Sequence, residues 1–132
     1  MTQVNPQNPP ADPLPPNVRV GAGTEIFGEK IFRRFFSKCD PAIVWGENCY
    51  FDGVQLALGE RATLTVGSFV YAANMIVLAE QEIRIGNHVF LGFNVAIADT
   101  DFHPLDPALR MQDAIAVSPL GGGRPRPPIA TA

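Results

Sequence analysis

Three aliphatic residues, Ile85, Leu91 and Ile97, stand six apart, each followed by a small residue: Gly86, Gly92 and Ala98. Val89, Val95 and Asp101 lie four places after each of the three. This beat constrains the fold more than anything else in the chain. An amphipathic helix repeats its apolar positions at three and four, and a half-buried strand at two. A beat of six suits neither. It suits a parallel β-helix of very short strands, in which each coil is a triangle and each hexad is one side. The aliphatic side chain points into the prism, and the small residue after it lets the chain turn the corner.

The beat extends upstream. Val20, Ile26 and Phe32 mark a first, irregular coil. Trp45, Phe51 and Ala57 mark a second, with Gly46 after the first of them. Val66, Ala72 and Leu78 mark a third, with Gly67 and Ala73 following, and Ile85, Leu91 and Ile97 a fourth. Gly46, Gly67 and Gly86 are 21 and 19 residues apart, slightly more than three hexads. Short corner insertions follow, with Ala79 to Glu82 the best candidate. Coils rise by about 4.8 Å each, so four make a prism roughly 20 Å tall. The segment RRFFSKCDP, from Arg33 to Pro41, has two readings. Its aromatics cap the open end of the prism, where bare strand edges invite pairing with other chains; or Arg33, Arg34 and Lys38 bind phosphate.

A chain of 132 residues is enough for one domain and a modest core. A net charge of −3 and pI near 5.2 leave no electrostatic footprint for nucleic acid or an anionic membrane. No apolar run reaches the length of a membrane span. The N-terminus lacks the basic and apolar regions of a signal peptide, which points to the cytoplasm. Cys39 and Cys49 form no metal or disulfide pattern, and Cys49 falls on a core ladder with Val70 and Val89. Residues 1–17 are Pro-rich and read as a disordered arm, either a plain solvated tail or a contact to a neighbouring subunit. Residues 18–102 read as the β-helix. Residues 103–132 leave the prism as an extended, Pro- and Gly-rich loop, within which Asp106 to Ile115 suits a short helix.

The paired hexads IGNHVF and LGFNVA, followed by HPLDPALR, resemble the hexapeptide-repeat acyltransferases. The nearest branch is that of the maltose, galactoside and nodulation-type O-acetyltransferases. The resemblance implies an all-β, left-handed parallel β-helix of about four coils. It also implies a homotrimer, and acetyl (acyl) transfer from acetyl-CoA to a hydroxyl or amine of a small acceptor, with no metal. Phe69, Phe90, Phe93 and Met75 lie at or near outward positions that suit a subunit contact. The family continues with further coils, including a Val-Trp-Ile-Gly segment, that nothing here matches. The expectation is a C-terminally truncated chain. A non-catalytic β-helix scaffold is therefore the alternative to an enzyme.

Hydroxyl acyl transfer needs a base, and a neutral imidazole suits it near pH 7. His103 precedes Pro104, which restricts its backbone to extended conformations. By resemblance His103 is the general base; alone, it reads as a polar loop residue. Glu80 has two readings, an acceptor-binding carboxylate at the family's matching turn or an ordinary corner glutamate. Tyr71 and Asn74 fall where the family faces the acceptor. Asp99 and Asp101 flank the loop entry, where one orients His103 or the acceptor. The beat puts Asp101 on an inward position, where a carboxylate needs a partner. Arg110 pairs with Asp106 to hold the loop. Arg124 and Arg126, in GGGRPRP, are the candidates to meet the adenosine phosphates of the donor. His88 reads as a solvated corner residue, and two histidines in the chain are too few for a three-histidine zinc site.

Overall fold

The computed structural model describes residues 13–119 and 122–127. Most of the expected N-terminal arm, residues 1–12, lies outside them, as do the last residues, 128–132. The chain divides into two units, one ending at Asp99 and one beginning at Thr100.

The first unit is built from eleven strands of two to four residues: β1 (Val18–Val20), β2 (Glu25–Phe27), β3 (Ile43–Trp45), β4 (Tyr50–Asp52), β5 (Gln55–Leu58), β6 (Thr63–Val66), β7 (Tyr71–Ala73), β8 (Ile76–Ala79), β9 (Glu82–Ile85), β10 (Phe90–Leu91) and β11 (Ala96–Ala98). They form three sheets, ordered β1-β3-β6-β9, β10-β7-β4-β2 and β11-β8-β5. Every strand pair is parallel. Each sheet is one side, so the chain winds a β-solenoid of about four turns that fits a left-handed parallel β-helix. On the first side the turns differ in length. Val20 pairs Trp45, Trp45 pairs Val66, and Val66 pairs Ile85, offsets of 25, 21 and 19 residues.

The core is the stack of inward residues. Ile43, Trp45, Leu64 and Val66 line the first side, Phe51 and Ala72 the second, and all are buried. Trp45 and Phe51 meet edge to face with centroids 5.4 Å apart. Cys49 and Val70 are also buried, as the ladder requires. Leu91 and Ile97, in the last turn, are only partly buried and pack against this core.

The third side corrects the expected phase. Ala57 and Leu78 are half-buried, whereas Leu56, Leu58, Val77 and Ala79 are buried. Phe51 pairs Ala72 and Leu56 pairs Val77, so five residues, not six, separate inward positions across that corner. Only the last turn keeps six, from Leu91 to Ile97. A slip of one residue turns every side chain to the other face. The same short corner brings Met75 inside, at 3% exposure, against the expectation of an outward position; Phe69, Phe90 and Phe93 are exposed.

Corner residues explain how the chain turns. Asn48, Phe69 and His88 occupy one corner in successive turns, all with φ near 60°. Asn tolerates this region, but a bulky residue there carries a cost of roughly 1–2 kcal/mol. The Phe69 and His88 rings stack at 5.6 Å, which offsets part of it. Between β3 and β4, β6 and β7, the stacked glycines leave no room for a Cβ: one on Gly46 would lie 2.6 Å from the carbonyl carbon and oxygen of Gly67.

The segment after Lys30 closes the edge of β5. Leu56 N–H donates to Ile31 O, Leu58 N–H to Arg34 O, Phe36 N–H to Leu58 O and Lys38 N–H to Glu60 O, all between 2.8 and 3.1 Å. Phe35 bridges Leu58. The edge is thus covered mainly by backbone. Phe32 and Phe35 pack on the core, and Phe36 is exposed.

Among the described residues the second unit contains one helix, α1 (Pro107–Val117). Asp106 caps it, accepting from Leu109 N–H at 3.1 Å, and Pro107 occupies its first turn, where no donor is lost. The expected Arg110–Asp106 ion pair is not among the ion pairs of the described residues; the Asp106 carboxylate serves as the cap. No helix among the described residues is long and apolar enough to cross a membrane.

Candidate functional site

In the second unit, three side chains distant in sequence converge. His103 follows a turn in which Phe102 has φ 61° and donates its N–H to Thr100 Oγ1 at 3.1 Å. His103 N–H donates to Asp101 O at 2.7 Å. Ten residues on, α1 presents Asp113, the helix's buried residue, at 1% exposure. Its Oδ2 faces His103 Nδ1 in hydrogen-bond contact. After α1, Gly122 and Gly123 both have positive φ, which L-residues with side chains resist, and the chain reverses there. The return brings Arg126 to the same carboxylate: Nε donates to Asp113 Oδ1 at 2.6 Å. Its Nη2 donates to Phe102 O at 2.7 Å.

A buried carboxylate needs compensation, and here it has two cationic or polar partners. The Arg126 guanidinium first, and the His103 ring second, hold the Asp113 carboxyl at about 2, below its ordinary 3.8, against the opposing effect of burial. Asp113 is therefore ionised at neutral pH and purely an acceptor. His103, whose side chain is about half exposed, keeps Nε2 as the nitrogen turned away from that contact. A ring so arranged suits proton abstraction at Nε2.

Of the residues singled out in the sequence, His103 and Arg126 come together here. Asp101 and Arg124 are exposed. Asp101 is not inward, because the chain has left the hexad register after Ala98. Asp99 is engaged at a strand corner. Its carboxylate accepts the N–H groups of Glu80, Gln81 and Glu82 at 2.7, 2.9 and 2.8 Å, closing the corner between β8 and β9. Glu80 is exposed at that corner, with its carboxylate lying over Gly59 of the preceding turn. Tyr71 stacks between Tyr50 and Phe90, with centroids 5.3 and 4.7 Å away. Asn74 sits at a corner with φ 51°, lining a cleft with Gly53, Gln55, Met75, Ile76, Asn94 and Val95. Among the described residues no cluster of His, Cys, Asp or Glu could hold a metal ion. Sequence reasoning misses Asp113. The available signal is that it is the sole acid of α1, on a helix otherwise mostly apolar.

Over 70 residues the chain is 37% identical to a galactoside O-acetyltransferase of Lactococcus lactis subsp. lactis (strain IL1403). The match covers 52% of this chain and 33% of that protein, so it spans about a third of the relative's length. No protein-family model matches the chain, and no solved structure matches it significantly. The similarity and the β-solenoid together fit a hexapeptide-repeat acetyltransferase.

Proposed function

We propose that the protein moves an acetyl group from acetyl-CoA to a hydroxyl of a small acceptor, a galactoside or related sugar, with His103 as general base. The observation that carries this reading is the His103 ring anchored at Nδ1 by a buried carboxylate, in a chain similar to an O-acetyltransferase. The acceptor's proton moves to His103 Nε2 as its oxygen attacks the thioester carbonyl carbon. The carbon–sulfur bond then breaks, and the departing thiolate takes the proton from the imidazolium. Glu80, Tyr71, Asn74 and Asp101 are the proposed acceptor contacts, and Arg124 a contact to the donor phosphates. Homotrimeric assembly and a cytoplasmic location belong to the same proposal.

The test is thiol release from acetyl-CoA across a panel of galactosides, other sugars and amines, with wild type and His103→Ala. Acceptor-dependent release that falls about 10²- to 10⁴-fold in the variant is expected. Release at the rate of plain thioester hydrolysis with every acceptor would overturn the reading. Sedimentation at micromolar concentration tests the trimer.

A further inference from the structure

Both oxygens of Asp113 are committed. Oδ1 accepts from Arg126 Nε at 2.6 Å, and Oδ2 faces His103 Nδ1 with Arg126 Nη2 3.3 Å away. The same Nη2 donates at 2.7 Å to the carbonyl of Phe102, the residue directly before His103. Arg126 therefore grips the carboxylate behind the ring and the backbone beside it.

We infer that Asp113 and Arg126 are a positioning pair for His103: Asp113 holds the ring proton on Nδ1 and leaves the lone pair on Nε2, and Arg126 sets the facing of the carboxylate and of the Phe102–His103 peptide. An ionised carboxylate only accepts, so a nitrogen in contact with it must donate. The Nε2–H tautomer would set two acceptors against each other. When Nε2 gains a proton, the positive ring stays paired with Asp113. Arginine suits the bridging role, because its rigid planar fork sets donors on separate nitrogens in fixed directions, whereas lysine's three donors radiate from a single nitrogen. The kinetic consequence rests on the acetyl-transfer reading; the tautomer does not.

The test uses ¹⁵N NMR of the His103 ring in the full chain, with acetyl-transfer kinetics beside it. Wild type should show the Nδ1–H tautomer. In Asp113→Asn, Arg126 still demands the side-chain oxygen, so the amide NH₂ is turned to His103 and the ring should switch to Nε2–H. Turnover should then fall about 10²- to 10⁴-fold with KM little changed. In Asp113→Asn/Arg126→Ala nothing holds the amide that way round, and the Nδ1–H form should return in part. Nε2–H in wild type, or no change in Asp113→Asn, would overturn the pair. No recovery in the double variant would remove Arg126 from it. Absence of thiol release in wild type would sink the acetyltransferase reading alone, since the ring spectrum still decides the pair.

Discussion

Gly46 and Gly67 sit back to back in adjacent turns, so close that a Cβ on the first would lie 2.6 Å from the backbone of the second. No side-chain rotation relieves a clash with backbone. Gly46→Ala should therefore destabilise the solenoid by about 1–3 kcal/mol or more. Gly86 stands in the same column one turn further, without a positive φ, and a Cβ there would meet nothing within 4 Å. At that position alanine should be neutral or stabilise by about 0.4–1 kcal/mol, through the unfolded state. Urea unfolding of both variants checks the contrast; equal effects would refute the stacking argument.

The five-residue corner makes a second contrast. Leu56 is fully buried and Ala57 is not. Leu56→Ala should cost about 2–5 kcal/mol. Ala57→Ser should stay within about 0.5 kcal/mol. The reverse order in denaturant midpoints would restore the unbroken beat of six.

Asp113 predicts an acid transition. Its carboxyl is at about 2 in the folded chain against an ordinary 3.8. A depressed folded-state value contributes stability above the unfolded pKa, and that contribution is lost as pH falls through about 4 towards 2. Carboxyl ¹³C NMR should place the Asp113 midpoint near 2. Because the Arg126 hydrogen bond is the largest cause, Arg126→Ala should raise that midpoint. An unchanged midpoint would contradict the assignment.

His103→Ala should leave the β-solenoid signature in circular dichroism intact, since the ring lies outside the packed core and is about half exposed. Its effect should fall on turnover, by about 10²- to 10⁴-fold. Full turnover in a folded variant would exclude the ring as the base.

The solenoid is legible in the sequence because glycines and aliphatics recur at a spacing no other regular structure uses. Its third side is legible only in outline. Leu56, Ala57 and Leu58 are apolar in succession, so both alternations are satisfied and the beat cannot choose the inward set. Only the pairing of Leu56 with Val77 decides it. At the candidate site, His103 stands out because Pro104 and the hexads frame it. Asp113 does not, because its contact with His103 depends on the fold of the loop and helix between them, and Arg126 joins only through the glycine reversal that follows. For the same reason Arg126 reads, in the sequence alone, as a cation for phosphate.

Turns of unequal length also guard the threading of the solenoid. With identical repeats, a strand could skip one turn, loop the omitted segment out and still find an equivalent neighbour. Here a skipped turn would lay Asp99 over the longer corner between β5 and β6, in place of the short corner between β8 and β9 whose three N–H groups its carboxylate accepts. Irregularity in the repeat thus acts as a winding count, penalising misassembled chains that a perfectly periodic sequence would tolerate.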